Sequence, residues 1–144
     1  MANIVPDSFK TDLLGGTFDF DSSGGSTFKL ALYTDISGLT TSTAAFTATN
    51  EVSTSGTSYS SGGNTLTNNG VAVSSNIAFV DFADLTFSSV TLSAVGALIY
   101  KSGGTNPAVL VLDFGGTKTA TNGDFVVQFP TASNSAAIIR LGNA

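Results

Sequence analysis

The stretches VGALIY at residues 95–100 and AVLVLDF at residues 108–114 decide the fold of this chain. Short runs rich in Val, Ile and Leu that are bounded by turn residues predict buried β-strands, and the KSGGTNP segment between them predicts a hairpin loop. Residues 109–112 (VLVL) follow one another without a polar residue, so both faces of this strand are apolar. The sheet that contains it must therefore be covered on both sides.

The composition of the 144-residue chain indicates a single domain with few charges. Hydrophobic residues make up 42% of the chain and charged residues 10%, whereas charged residues make up about 25% of a typical domain. Ser, Thr, Gly and Asn supply the polarity instead, and they suit turns and exposed strand faces. Such a surface also suits contact with another protein, because few charges have to be desolvated there.

Charge and residue types exclude several classes of function. A net charge of −5 with five scattered Lys and Arg argues against direct binding of nucleic acid, which needs a basic patch. The chain has neither Cys nor His, so disulfides, thiol or His-based catalysis and the commonest zinc ligands are excluded. No apolar run approaches the roughly 18 residues of a membrane span, and the N-terminal segment lacks the pattern of a secretory signal.

Residues 6–14 (PDSFKTDLL) are the one predicted helix. Pro6 suits its first turn, and Gly15 and Gly16 suit its end. This helix is a candidate cover for the second face of the sheet. Its apolar stripe is predicted to consist of Phe9, Leu13, Leu14 and either Ile4 or Val5.

Alternating patterns predict nine to eleven short strands besides the helix. They lie at residues 17–20, 27–34, 71–74, 77–82, 86–88, 91–100, 108–114, 125–129 and 137–141. Residues 35–69 form an excursion rich in Ser, Thr, Gly and Asn, with predicted edge strands at 58–60 and 65–67 around a turn at 62–64. The fold predicted for residues 1–144 is an all-β antiparallel two-sheet sandwich of jelly-roll type, with residues 1–16 as an N-terminal arm and helix.

Carboxylates are the remaining candidates for catalysis, because glycosidases use two of them. Asp81 alternates with apolar neighbours and so lies away from the core, whereas Asp84 lies at a turn that favours Asp. Asp113 and Asp124 are the other candidates, but the chain has no Trp and three Tyr to stack against sugars. The adjacent pair at residues 101–102 (KS) lies in a turn-like loop, so no Ser–Lys catalysis is expected. We predict no catalytic residue.

Two short motifs resemble binding loops without their full patterns. The segment DFDSSG at residues 19–24 resembles part of a calcium loop, but it lacks the third oxygen ligand and the distal Glu. Alternating Asp residues on a strand are the alternative, and whether a cation binds near Asp19 and Asp21 stays open. The segment DFGGTK at residues 113–118 lacks the spacing of a phosphate-binding loop, which predicts a strand that ends in a Gly turn. No cofactor, metal or small-molecule substrate is predicted.

Eight segments of the chain form a specific combination. They lie at residues 2–10, 28–34, 49–53, 80–84, 96–100, 109–115, 129–130 and 137–140. Taken together they resemble a family of small structural proteins in the virions of tailed bacteriophages, cyanophages among them. The resemblance covers essentially the whole chain and implies a capsid cement or decoration protein without catalytic motifs. Its location would be the surface of the virion capsid, after assembly in the host cytoplasm.

Two hypotheses from different classes follow. The first is a structural protein that binds the major capsid protein and copies of itself, as a homo-oligomer; the second is a receptor- or glycan-binding module on a tail or fibre. Scarce Trp and Tyr favour the first, because these residues dominate binding hot spots. We expect residues 35–69 to be mobile in isolation and ordered on a partner. The predicted partner-binding residues are Ile4, Val5 and Phe9, which are equally expected to cap their own sheet, together with Phe46 and Tyr59.

Overall fold

A computed structural model describes residues 2–143 of the chain. These residues form one helix and seven strands in two antiparallel sheets, which confirms the predicted all-β two-sheet class. The elements are α1 (Asp7–Leu14), β1 (Phe28–Tyr33), β2 (Asn64–Thr65), β3 (Asn68–Ser74), β4 (Ile77–Phe82), β5 (Leu85–Lys101), β6 (Ala108–Val127) and β7 (Ile139–Leu141).

The larger sheet has the order β2-β1-β5-β6 and the smaller sheet the order β3-β4-β7. All five strand pairs of the described residues are antiparallel. The number of strands in the described part of the chain is seven, against the eight of a jelly roll. The two-sheet sandwich class is therefore confirmed, whereas the described residues have fewer strands than the nine to eleven that the sequence predicted.

The predicted central hairpin is formed by β5 and β6. Ile99 lies opposite Leu110 and Leu98 opposite Val111 in the register, and all of residues 108–112 are buried. The hairpin is longer than predicted, because β5 merges the predicted strands at 86–88 and 91–100, and β6 joins those at 108–114 and 125–129. The prediction that β6 ends in a Gly turn is wrong.

A bulge explains why β6 continues beyond residue 114. Asp113 is paired with Gly96 and Lys118 with Ala94, so residues 114–117 of β6 oppose one residue of β5. Gly115 and Gly116 both have positive φ angles, of 73° and 141°, and such angles suit Gly because it has no Cβ. The two glycines thus take up the extra chain length in the bulge, and the strand resumes after them.

Two apolar clusters pack on the larger sheet. Phenylalanine rings dominate the larger cluster: Phe20 stacks on Phe28 with ring centroids 4.6 Å apart, and Phe82 of β4 meets Phe28 at 5.6 Å. The second cluster contains Tyr33, Leu98 and Val111 and packs on the other face. Residues 17–20, predicted as a strand, have no strand pairing, but Phe18 and Phe20 are buried there in the larger cluster.

The cover of the second face differs from the prediction. Ile36 and Leu39 of the excursion are buried in the second cluster, and Ile4 and Phe46 pack against it. The helix instead buries Phe9 in the larger cluster. The excursion and the segment before the helix therefore provide the cover that we expected from α1.

Local sequence fixes both ends of α1. Pro6 precedes the helix as its N-cap residue with extended backbone angles, rather than lying in the first turn. At the C-terminus Gly15 N–H donates to the Thr11 carbonyl at 2.9 Å, and Gly16 has a φ of 82°. The predicted apolar stripe is wrong at one position, because Leu14 is 84% exposed.

The excursion at residues 35–69 covers the outer edge of β1. Val52 N–H donates to the Leu32 carbonyl and Leu66 N–H to the Phe28 carbonyl, at 2.9 and 2.8 Å. The predicted pairing of residues 58–60 with 65–67 is wrong, because β2 pairs with Lys29 and Leu30 of β1. The excursion is therefore packed as a part of the folded domain, which does not support the prediction that residues 35–69 are mobile in isolation. The excursion side chains buried in the apolar core are Ile36, Leu39, Val52, Tyr59 and Leu66.

The smaller sheet agrees with the sequence prediction in β3 and β4. The strand predicted at residues 77–82 is β4, and that at 71–74 lies within β3. The strand predicted at 137–141 is shorter, since β7 begins at Ile139. Within residues 2–143 no helix has the length and apolar character required to cross a bilayer.

Candidate functional site: an apolar surface beside the helix

Exposed apolar side chains concentrate on one part of the molecule. Among the described residues six large hydrophobic side chains are exposed, and five of them lie on α1, on the segment before it or on the smaller sheet. Their exposed fractions reach 84% at Leu14 and 72% at Val73. The five residues, which we call the apolar surface, are Val5, Leu14, Val71, Val73 and Leu141.

A groove of about 650 Å³ between α1 and β7 forms the deepest part of this surface. Val5, Leu13 and Leu14 line one side of it, and Ile139 and Leu141 line the other. A smaller groove of about 130 Å³ adjoins it and is also lined by Leu13, Ile139 and Leu141. The shared residues make the two grooves one continuous surface.

Strand register explains why the valines of β3 join this surface. Val73 lies opposite Ala78, which in turn lies opposite Leu141 of β7. Residues directly opposite each other on neighbouring strands project from the same face of a sheet. One face of the smaller sheet is therefore apolar from β3 across to β7.

Two cations lie at the rim of the larger groove. Lys10 Nζ lies 2.8 Å from the Asp7 carboxylate, and Arg140 donates to the Ser135 carbonyl at 2.9 Å. Both side chains are exposed and held by neighbours on their own segments. The groove thus has an apolar floor and a polar rim, which is the usual anatomy of a protein–protein contact.

The N-terminal candidates for partner binding occupy different environments. Val5 is 39% exposed and lines the groove, whereas Phe9 is buried among the phenylalanines of the larger cluster. Ile4 forms an antiparallel bridge with Val111, with backbone hydrogen bonds in both directions at 2.9 and 2.8 Å. The segment therefore caps its own sheet through Ile4 and Phe9, and it leaves Val5 exposed in the groove.

The two candidates from the excursion lie inside the domain. Phe46 is partly buried and stacks on Tyr100 with ring centroids 4.8 Å apart. Tyr59 is 3% exposed, and its ring lies 5.7 Å from that of Phe87. In this conformation Tyr59 offers no surface to a partner, because its ring fills the core and its hydroxyl is hydrogen-bonded within the chain.

A polar cluster around Glu51 holds the excursion against the larger sheet. Glu51 Oε1 accepts hydrogen bonds from the Tyr59 hydroxyl at 2.8 Å and from Gly62 N–H at 2.6 Å, and Oε2 accepts one from Ser61 at 3.0 Å. The Tyr59 hydroxyl also accepts from Leu32 N–H at 3.0 Å. Sequence reasoning missed this cluster, although Glu51 is the only glutamate of the chain.

Burial raises the pKa of Tyr33, Tyr59 and Tyr100 above the usual value for tyrosine, and the Glu51 carboxylate adds to each shift. The Tyr33 hydroxyl donates to the Thr47 carbonyl at 2.6 Å, and the Tyr100 hydroxyl donates to the Gly62 carbonyl at 2.7 Å. The three hydroxyls thus act as neutral donors. Their arrangement is that of a structural network that ties excursion to sheet.

All four carboxylates considered for catalysis accept hydrogen bonds from groups of their own chain. Asp81 accepts a hydrogen bond from the Asn69 side chain at 2.7 Å, Asp84 from Phe129 N–H at 2.8 Å and Asp124 from Ser89 N–H at 3.2 Å. Asp113 accepts from Gly115 N–H at 2.8 Å at the start of the bulge. These contacts join neighbouring strands, a loop and the bulge within the fold.

The segment at residues 19–24 forms a closed turn. Asp19 Oδ1 accepts from Asp21 N–H at 2.9 Å, and Ser26 N–H donates to the Asp19 carbonyl at 2.8 Å. Within the described range 2–143 no group of three or more acidic side chains is arranged to hold a metal ion. The Asp19 carboxylate therefore stabilises this turn through its hydrogen bond with Asp21 N–H.

A second, shallower groove of about 400 Å³ lies along β6. Phe114 and Phe125 form its aromatic part, with ring centroids 5.9 Å apart, and Lys118, Asp124 and Gln128 supply polar groups. Phe125 is 6% exposed and belongs to the larger cluster, so the half-buried Phe114 is the aromatic side chain that this groove presents beside charged and amide groups. The bulge that extends β6 creates this groove, and sequence reasoning did not find it.

Comparisons with models of protein families, with curated proteins and with solved structures gave no match to this chain.

Proposed function

We propose that this chain is a non-enzymatic structural protein of a tailed-phage virion, which cements the lattice of the major capsid protein. The observation that carries the proposal is the apolar surface of Val5, Leu14, Val71, Val73 and Leu141. A monomeric protein rarely leaves such side chains together in water, and their concentration favours a contact with another protein. The sequence resemblance to virion structural proteins supplies the class of partner.

The low charge of the chain supports the same function. Charged residues are 10% of the sequence, so a large part of its surface can be buried without desolvating ions. A protein that repeats across a capsid lattice gains further from many weak contacts, because each attached copy raises the effective concentration of the next contact. The chain would therefore reside on the virion surface, after assembly in the host cytoplasm.

Reconstitution on capsid shells that lack the protein tests this function. Wild-type protein should bind the shells in stoichiometric amounts and raise their resistance to heat and osmotic shock. Shells that gain no resistance, or copies found only at the tail tip, would contradict the cement role.

Two charged substitutions identify the surface that is used. Leu14→Asp introduces a charge at a side chain that is 84% exposed and lines the groove, so it should weaken shell binding without unfolding the chain. Val126→Asp is the matched control, because Val126 is 49% exposed on β6 of the other sheet. Equal losses from both variants would argue against the apolar surface.

A second candidate function is a glycan-binding module on a tail or fibre, which the groove along β6 favours. In that case the wild-type chain should bind host-cell polysaccharide, and Lys118→Ala and Gln128→Ala should weaken the binding, because both side chains line the groove. Leu14→Asp should leave it unchanged. Binding to shells with no binding to polysaccharide would exclude this alternative.

A further inference from the structure

The free edge of β3 differs from the edges of the larger sheet. The outer edge of β1 is covered by residues 50–52 and by β2. The edge of β6 is bridged by Ile4, carries Lys118 and Asp124, and is interrupted by the bulge at residues 114–117. Such covers, charges and bulges are the usual protection against pairing with another chain.

No such protection is found along residues 71–74 of β3. The strand Asn68–Ser74 has the sequence NNGVAVS, without a charged residue or a proline, and its bulge lies at its beginning, between Asn68 and Gly70. Residues 71–74 are all exposed, and β3 ends the order β3-β4-β7. Alternate backbone N–H and C=O groups of an edge strand point away from the sheet and are open to another strand.

We infer that β3 pairs with β3 of a second copy, antiparallel and about a two-fold axis at Ala72, to form a homodimer. This inference specifies the self-association within the proposed function, and it requires no property of the capsid. A two-fold axis at Ala72 places Val71 opposite Val73 of the other copy at two symmetric positions. Cross-strand pairs of β-branched residues stabilise antiparallel strands.

Charge also favours a second copy as the occupant of this edge. An uncharged strand can pair with itself without bringing like charges into contact. The nearest acidic side chain on β4 is Asp81, whose partner on β3 is Gly70, two residues from Ala72. The strand spacings put the two Asp81 residues of a dimer roughly 20 Å apart, which is beyond the Debye length of about 8 Å in physiological salt.

Pairing of β3 with itself also extends the apolar surface. The smaller sheets of the two copies would form one sheet of the order β7-β4-β3-β3-β4-β7. Since Val71 and Val73 lie on the face that continues to Leu141, the apolar faces of both copies would become contiguous. A dimer would therefore present a doubled surface to a capsid.

The first test is the mass of the purified full-length chain in solution over a wide range of concentrations. Wild-type protein should show a concentration-dependent dimer of its 14.5-kDa chain. Val73→Lys places a charge at an edge side chain that is 72% exposed, and it should raise the dissociation constant about tenfold or more. Val126→Lys on β6 is the matched control and should leave the dimer unchanged. A monomer at every concentration, or a dimer equally sensitive to both variants, would overturn the inference.

The second test uses the absence of cysteine from the sequence, since an introduced cysteine is then unique. Ala72 residues on a two-fold axis would have Cα atoms about 4.5–5.5 Å apart, within the range of a disulfide. Ala72→Cys should therefore cross-link into a covalent dimer under mild oxidation, much faster than Thr121→Cys, an exposed position on β6. Equal rates for the two variants would contradict the proposed pairing. Shell binding by a protein that stays monomeric would reject this dimer and retain the cement function.

Discussion

The two halves of the β5–β6 hairpin share one hydrogen-bonded ladder but have opposite environments. In the proximal half, where residues 96–100 pair with 108–113, β5 lies between β6 and β1, and residues 96–100 are all buried. In the distal half, where residues 85–94 pair with 118–127, β1 no longer accompanies β5. Buried and exposed residues alternate there, with Phe87, Val90 and Leu92 facing the core.

Two parts of one continuous strand can therefore contribute unequally to the stability of the fold. The proximal half is held by two apolar clusters on opposite faces, whereas in the distal half the outer face of β5 consists of Ser and Thr. Burial of apolar area contributes about 25 cal/mol per Å², and exposed hydroxyl pairs contribute little. The proximal half should therefore contribute most of the free energy of unfolding.

The largest effect is expected for Leu110→Ala in the proximal half. Leu110 is 2% exposed in the larger cluster, so its truncation should leave a cavity and lower the free energy of unfolding by about 2–5 kcal/mol. Val126→Ala in the distal half is the control, because Val126 is 49% exposed. Urea unfolding of both variants measures the difference. Similar losses for the two would disprove the proposed asymmetry.

Alkaline pH should also act on the proximal side, where Tyr33 and Tyr100 lie on β1 and β5 and Tyr59 contacts Leu32. Their raised pKa values mean that the unfolded chain ionises near pH 10 while the folded chain stays protonated. Stability is therefore complete below about pH 10 and falls above it, by at most about 1.4 kcal/mol per pH unit for each tyrosine.

Absorbance at the tyrosinate band, recorded together with circular dichroism, checks this expectation. The three tyrosines of the chain should ionise together with unfolding. Ionisation near pH 10 with the β-signal retained would show that the hydroxyls are accessible. Tyr59→Phe should weaken the pH dependence, because it removes one of the shifted groups.

A smaller loss of stability is expected from Gly96→Ala, because Gly96 of the proximal half packs directly against Ile36 of the excursion. A Cβ at residue 96 would overlap the Leu112 carbonyl oxygen and lie 2.8 Å from Cγ2 of Ile36. Displacement of the Leu112 carbonyl and of Ile36 should lower the free energy of unfolding by about 1–3 kcal/mol. Gly38→Ala is the control, since a Cβ at residue 38 meets no atom within 4 Å; it should be neutral or slightly stabilising. Thermal unfolding of both variants distinguishes them, and an unaffected Gly96→Ala variant would mean that Ile36 does not pack tightly.

The sequence predicted the proximal half well because its signal is local. Residues 109–112 contain no polar side chain, so burial on both faces followed directly from the pattern. The part of β6 at residues 115–124 was missed, because Gly115, Gly116 and Asn122 resemble turn residues and only the register shows a bulge. Local pattern cannot distinguish the two, since a bulge is defined by the partner strand.

The candidate site was predictable only in part. Val5 was identified from the apolar N-terminal segment, but Leu14 was expected to be buried. The exposure of Val71 and Val73 was not predicted, because it depends on how far the tertiary core extends over β3. The Glu51 cluster was missed because its partners lie 8 to 11 residues away in a segment without periodic pattern. Long-range packing decides such positions, and one sequence carries no direct signal of it.

The smallest effect is expected on the outer face of the distal half. The Ser93 and Thr119 hydroxyls lie 2.8 Å apart on opposite strands, exposed to water. Because water replaces this hydrogen bond when either hydroxyl is removed, Ser93→Ala and Thr119→Ala should each change the free energy of unfolding by no more than about 0.5 kcal/mol. The double variant should show a coupling of similar or smaller size. A double-mutant cycle by urea unfolding measures it, with Leu110→Ala as the reference for a proximal loss. A coupling comparable to that reference would mean that the Ser/Thr face contributes to the fold as strongly as the buried clusters do, and the contrast between the two halves would then be wrong.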